Sequence, residues 1–253
     1  MALTKGLKGI SITDHDNCDA YPVTKNSKLE IITGIELSTK YLDRDIEILG
    51  YFIDPKEPVL NQVIENAVNI REERIKHILS ILKSQKINVT LTEVKQVSTG
   101  RTLVRPHVAE ILLKRGIVNS IQEAFSKYLN DKKVGAVKKS LLKPEEVISA
   151  IHNAGGVAVL AHPFYVKNRL DRNLKKLVEY MSKIDIDGVE LHYPYINETY
   201  NIQDLKDLIK SYGMIYTGGS DYHGESKKRI IMGMKGVNSD TVELLKKRAK
   251  KYG

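Results

Sequence analysis

Histidines and carboxylates recur along this chain at one kind of place. Asp14-His15-Asp16 follows a first β-branched run, Glu36 a second, His162 a fourth, and Asp221 and His223 a sixth. Side chains that follow parallel strands in an α/β fold converge on one mouth, so residues roughly 200 positions apart are expected to meet. Imidazole nitrogens mixed with carboxylate oxygens suit Mn, Fe or Zn, and a carboxylate can bridge two ions. The pattern predicts a multinuclear metal centre that performs hydrolysis. A single strand-end histidine is more often a structural hydrogen-bonding residue, but four such strand ends together favour ligands. Asp16 and Asp19 read as turn formers or caps, Asp14 as the group that orients His15, and His77 and His152 as surface residues. His192 also ends a strand, and both readings stay open for it. Cys18 is the single cysteine, so an internal disulfide and a thiolate cluster are excluded, and a role as a lone nucleophile is disfavoured.

The elements that must position these residues follow from periodicity. Short β-branched runs alternate with helix-period segments, which predicts an α/β class with parallel strands joined by crossover helices. The strands read as Gly9–Thr13, Leu29–Thr33, Asp45–Phe52, Gly156–Ala161, Asp187–Leu191 and Met214–Thr217. A helix from Lys143 has Pro144 in its first turn and closes at the pair Gly155-Gly156, delivering the chain into the fourth strand. From Pro55 to about Ser140 the strand rhythm gives way to charged helical sequence. The reading is a strand-bearing domain at 1–57 and 141–253 with a helical insertion subdomain at 58–140. The first insertion helix, Val59 to Lys83, carries Leu60, Val63, Ile64, Ala67, Ile70, Ile78 and Leu82 along one side. A second begins at Pro106, and a third opens with the capping pattern Ser120-Ile-Gln-Glu123. In a terminal helix striped by Val242, Leu245, Ala249 and Tyr252, the cations Lys246, Lys247, Arg248, Lys250 and Lys251 read as a solvated face near the C-terminal end.

With 253 residues, 42% apolar and 28% charged, the chain can bury a sizeable core, which excludes a disordered tail or a fibrous protein. Its longest apolar run, Val157–Ala161, falls far short of the ~20 residues that cross a bilayer, and no signal-peptide core follows Met1. A cytoplasmic protein without a membrane partner is expected. The net charge of +9 favours phosphates or nucleic acid as partners without selecting between them.

Six segments carry a family resemblance: Ile12-Thr-Asp-His-Asp16, Gly34-Ile-Glu36, Ile48-Leu-Gly-Tyr-Phe52, Arg105-Pro-His107, Ala161-His-Pro163 and Gly219-Ser-Asp-Tyr-His223. Together they resemble the PHP (polymerase and histidinol phosphatase) superfamily, and in order and spacing its TrpH-like branch of metal-dependent phosphoesterases. The match runs over nearly the whole chain, including the insertion. The resemblance implies a distorted (β/α)7 barrel, up to three divalent ions and hydrolysis of phosphomonoesters, with nucleoside 3′,5′-bisphosphates or short 5′-phosphorylated RNA as substrates. Carried over residue by residue, it implies Glu36 as a bridging ligand, Glu47 and His162 completing one metal, Asp221 serving a second, and His15 and His223 holding a third. His15, His162 and His223 are then the catalytic histidines, acting through metal-activated water. Mn is the expected ion, with Fe, Zn or Mg as alternatives. Arg105 and His107 resemble the phosphate-clamping pair of the insertion, where a guanidinium fork suits a phosphate and the Pro106 helix start offers free backbone donors. Arg101 and Lys132 are further candidates for a phosphate contact.

The pattern departs from the family at two points. Members open with a strand carrying His-x-His and a Ser-Asp loop; this sequence has neither, and Met1 to Lys8 reads as the end of the helix that follows such a strand. The expected barrel therefore lacks its first strand and keeps six of seven. Glu47 stands where a histidine is usual, which alters the charge of the site. A second reading follows, a catalytically impaired, truncated remnant that binds phosphate or RNA. A third, an amidohydrolase-like enzyme acting on C–N bonds, shares strand-end ligands but lacks a strand-end lysine suited to carbamylation. The sequence does not set the oligomeric state.

Overall fold

Six strands lie side by side in chain order: β1 (Gly9–Ile12), β2 (Glu30–Tyr41), β3 (Arg44–Tyr51), β4 (Val157–Leu160), β5 (Gly188–His192) and β6 (Ile215–Gly218). The structure is a computed structural model that describes residues 1–21, 28–42, 44–98, 100–130, 134, 142–163, 174–194, 202–224 and 229–253. Every strand window read from the sequence overlaps one of these strands, and the fold is mixed α/β. The expectation that all strands are parallel does not hold. β1–β2, β4–β5 and β5–β6 are parallel, whereas β3 runs antiparallel to both β2 and β4. The cause is chain length: β2 continues to Tyr41 and β3 begins at Arg44, and so short a connection can only reverse the chain. Leu42 sits in this turn with φ of 53°.

The chain divides into two units, Met1–Val63 with Leu142–Gly253, and Ile64–Leu141. In the first, β4 is buried on both faces, as a strand covered from two sides must be. Helix α5 (Pro144–Asn153) packs on β2, β3 and β4 through Val147, Ile148 and Ile151, each buried. It ends at Gly155, whose φ of 72° is the left-handed cap that a side chain disfavours. Helices α6 (Leu174–Lys183) and α7 (Ile202–Ser211) pack together, and α7 covers β5 and β6. The terminal helix α8 (Ser239–Ala249) lays Leu245 against Leu49, Val157, Val159 and Ala161. Burying each such aliphatic side chain contributes about 1.5–3 kcal/mol before entropy is subtracted.

The second unit is helical. α1 (Pro58–Ser84) leads into it, followed by α2 (Leu91–Val97), α3 (Arg105–Lys114) and α4 (Ile121–Ala124), which continues into a π turn at Phe125–Leu129. Its core gathers Ile75, Ile78, Leu82, Val94, Val108, Leu112 and Leu129. Thr90 and Glu93 cap α2 reciprocally. At α4, Ser120 Oγ accepts from Glu123 N at 3.0 Å, while Glu123 Oε2 takes the amide of Asn119 at 2.7 Å rather than that of Ser120. Among the described residues no helix is long and apolar enough to cross a membrane.

Candidate metal centre

After β1 the chain pairs with β2 once more. Asp16 N donates to Glu36 O at 2.9 Å and Glu36 N to Asp14 O at 3.1 Å, which sets His15 beside Glu36. Tyr21 fixes the same strand ends: its hydroxyl bonds the Ile12 carbonyl and accepts from Gly34 N at 2.6 Å, and burial pushes its pKa up to about 12. Gly34 allows this approach, because a Cβ there would lie 2.4 Å from Ser11 Oγ and 2.9 Å from Gly50 O. Glu36 lies inside β2, not after its end, and Glu47 inside β3, opposite Ser38. The reversal of β3 is what turns Glu47 toward the same mouth. Ala161 N donates to Glu47 O at 2.9 Å, so the next residue, His162, arrives beside it.

Four of the expected ligands meet. His162 Nε2 is 3.1 Å from Glu36 Oε1 and 3.1 Å from Glu47 Oε2, and His15 Nδ1 is 3.4 Å from Glu36 Oε2 and 3.7 Å from Glu47 Oε1. Glu36 is buried, with 5% of its surface exposed. His223 approaches from beyond β6: its ring centroid is 6.2 Å from that of His15, and its Nδ1 bonds Asp221 O at 2.8 Å. Two of the candidate ligands, His162 (φ 24°) and Asp221 (φ 49°), hold left-handed backbone just past their strands. Such conformations cost about 1–3 kcal/mol each and persist where the surroundings over-determine them.

The donor set fits a divalent ion. His15, Glu36 and Glu47 each offer one ligand atom, all within 4.8 Å of one another. Burial opposes charging His162, but the facing Glu36 and Glu47 outweigh it and hold its pKa well above the usual imidazole value. The carboxylates thus draw positive charge to this point, and a divalent cation supplies more of it than a proton does.

Several expectations change. Asp16 keeps its turn conformation, with φ of 51°, but is buried. Asp14 is exposed, and its carbonyl accepts from Glu36 N. His152 is not a surface residue: its Nε2 is 2.8 Å from the buried Asp187 and its ring stacks on Tyr252 at 3.8 Å. His192 lies 6.0 Å from the Tyr216 ring, and burial followed by Lys206 and Lys235 lowers its pKa. Cys18 is buried. Arg105 and His107 lie in the first turn of α3, in the helical unit. Arg105 Nη1 bonds Leu129 O at 3.0 Å and its guanidinium lies 5.7 Å over Phe125. Burial lowers the His107 pKa and its Nδ1 accepts from Val104 N at 3.3 Å, so the neutral ring carries its proton on Nε2. Arg101 pairs with Glu65 at 2.7 Å, and Lys132 lies outside the described residues. Glu190 was missed by sequence reasoning. It is 4% exposed beneath this mouth, and burial pushes its carboxyl up to about 7, with Glu36 and Asp221 adding to the rise and His162 opposing it. Its signal was a lone carboxylate inside the apolar run Gly188-Val-Glu-Leu191.

Comparison with known proteins supplies the class. No family model matches the chain. It is 29% identical over 220 residues to the 5′–3′ exoribonuclease Rnm of Escherichia coli, covering 85% of this chain and 74% of that protein. It is 24% identical over 225 residues to the 3′,5′-nucleoside bisphosphate phosphatase of Chromobacterium violaceum, covering 85% and 76% of the two chains. A crystal structure from Bifidobacterium adolescentis, assigned as a metal-dependent phosphoesterase, superposes with a TM-score of 0.82 at 27% identity, covering 96% of this chain and 87% of that one. In class, this chain is a metal-dependent phosphoesterase.

Proposed function

We propose that the chain is a cytoplasmic phosphomonoesterase loaded with Mn²⁺, with Fe, Zn or Mg as alternatives, acting on nucleoside 3′,5′-bisphosphates or short 5′-phosphorylated RNA. The observation that carries this reading is the meeting of His162 with both Glu36 and Glu47 at 3.1 Å, from three strands, with His15 alongside. Glu36, Glu47 and His162 would hold one ion, with Glu36 shared, and Asp221, His15 and His223 would hold the others. Divalent ions in such a site activate water at neutral pH and offset the negative charge that develops on the phosphoryl oxygens. In the helical unit, Arg105 and His107 are the proposed phosphate contacts. The Arg105 fork suits two phosphate oxygens, and the Nε2–H of a neutral His107 donates to a third. The substrate class is supported by relatives that act on RNA and on nucleoside bisphosphates, and by the net charge of +9.

The test is phosphate release from adenosine 3′,5′-bisphosphate with added Mn²⁺, comparing the chain with its His162→Ala variant. Release by the unchanged chain that the variant loses is the expected result. No release from folded, Mn²⁺-loaded protein would overturn catalysis and leave a protein that binds phosphate or RNA.

A further inference from the structure

β5 contributes no ligand to the cluster, yet it sends a carboxylate, Glu190, beneath it. The side chain is nearly fully buried, and its two oxygens face two different strand ends. Oε2 accepts from the backbone N–H of His162 at 3.1 Å, just past β4. Oε1 lies against Gly219, just past β6, where a Cβ would sit 3.0 Å from it. Gly219 is itself pinned, its N–H donating to His192 O at 3.0 Å. The residues that Glu190 bonds or adjoins lie at, or two positions before, the candidate ligands His162 and Asp221, both of which have left-handed backbone. A peptide held at φ of 24° needs a partner to fix it, and the Glu190 hydrogen bond is the side-chain contact made to the His162 amide.

We propose that Glu190 is a positioning residue: one buried carboxylate that braces the ends of β4 and β6, aims His162 at Glu36 and Glu47, and so sets the affinity of the site for its ion. It does not itself ligate. The inference rests on the metal-dependent reading above, and it assigns a task to the fifth strand, which otherwise takes no part in the site. Outer partners that orient a ligand change metal affinity or activity by about 10–100-fold when removed. A glutamine keeps an acceptor oxygen at the same reach, whereas alanine leaves the His162 amide without one.

Three variants of the full chain separate positioning from charge and from folding: Glu190→Ala, Glu190→Gln and Gly219→Ala. Each is checked for folding by circular dichroism. Mn²⁺ affinity of metal-stripped protein is then measured by calorimetry, and kcat and KM on adenosine 3′,5′-bisphosphate separately. The expected result is a 10–100-fold loss of Mn²⁺ affinity in Glu190→Ala, affinity within about threefold of the original in Glu190→Gln, and an intermediate loss in Gly219→Ala, whose methyl crowds Oε1. KM should stay near its original value at saturating Mn²⁺. A folded Glu190→Ala protein with unchanged Mn²⁺ affinity overturns the proposal, as does a Glu190→Gln protein as weak as the alanine variant, which would make the charge itself the essential feature. Should Glu190→Ala not fold, the glutamine and Gly219→Ala variants decide the matter by the same affinities. If the unchanged chain binds Mn²⁺ but releases no phosphate, the catalytic reading fails while the positioning role is still read from binding; if it binds no divalent ion, both fall.

Discussion

Glu47 decides how much negative charge faces an ion in this site. With Glu36 it places two carboxylates on His162, where a site with a histidine at position 47 would place one. Glu47→Gln keeps the size and the Ser38 contact while removing the charge, and Glu47 is only half-buried, so the fold should tolerate the change. We expect Mn²⁺ affinity to fall at least about tenfold, read by calorimetry on folded protein. Affinity that does not move would remove Glu47 from the ligand set. Glu47→His should shift preference from Mn²⁺ toward Zn²⁺, because imidazole is the softer ligand.

Between elements, the terminal helix is tied to the sheet by one buried acid. Asp187, just before β5, accepts from His152 Nε2 at 2.8 Å, Ala158 N at 3.0 Å, Arg248 Nη1 at 3.1 Å and Tyr252 OH at 2.8 Å. Burial alone would raise its pKa, but the bonds from His152, Ala158 and Tyr252 outweigh it and hold the carboxyl below its ordinary 3.8. As pH falls through about 4, the unfolded chain takes up this proton first, so stability is lost on acidification and this contribution is complete above about pH 5. Asp187→Ala should cost about 1–3 kcal/mol at pH 7, since it removes the acceptor of the buried Ala158 N–H and the partner of His152. It should also flatten the fall of stability between about pH 5 and 2. Urea unfolding at a series of pH values measures both, and an unchanged acid limb in the variant would assign that limb to other carboxylates. This tie was not legible in the sequence. Arg248 sits in a run of five cations that reads as solvated, and His152 in a helix end that reads as surface. Their partner Asp187 is brought to them only by the packing of α8 and α5 on the sheet. The strands were legible because β-branched runs mark buried strands wherever they pair. The direction of β3 was not, since the turn after Tyr41 lacks the glycine that announces a hairpin. His15, His162, Asp221 and His223 lie past strand ends, where they were read, while Glu36 was read past a run that in fact continues as strand to Tyr41, and the amide contact of Glu190 is one that no side-chain motif records.

At the scale of the molecule, every candidate ligand belongs to the unit formed by Met1–Val63 and Leu142–Gly253, while the helical unit has a separate core around Leu82, Leu112 and Leu129. Two cores of this kind need not melt together, and a single two-state transition is not assured. An ion that binds only the folded sheet stabilises it by mass action, about 2.7 kcal/mol at a hundredfold excess over its dissociation constant. For a unit of this size that corresponds to a rise of roughly 5–10 °C in the melting temperature. Scanning calorimetry with Mn²⁺ should therefore raise the transition of the sheet unit by that amount and leave any separate transition of the helical unit where it was. EDTA should reverse the shift, and His162→Ala should show little of it. A melting profile indifferent to Mn²⁺ would mean that the meeting of Glu36, Glu47, His15 and His162 is held by their mutual hydrogen bonds alone, and the metal-dependent reading would fail with it.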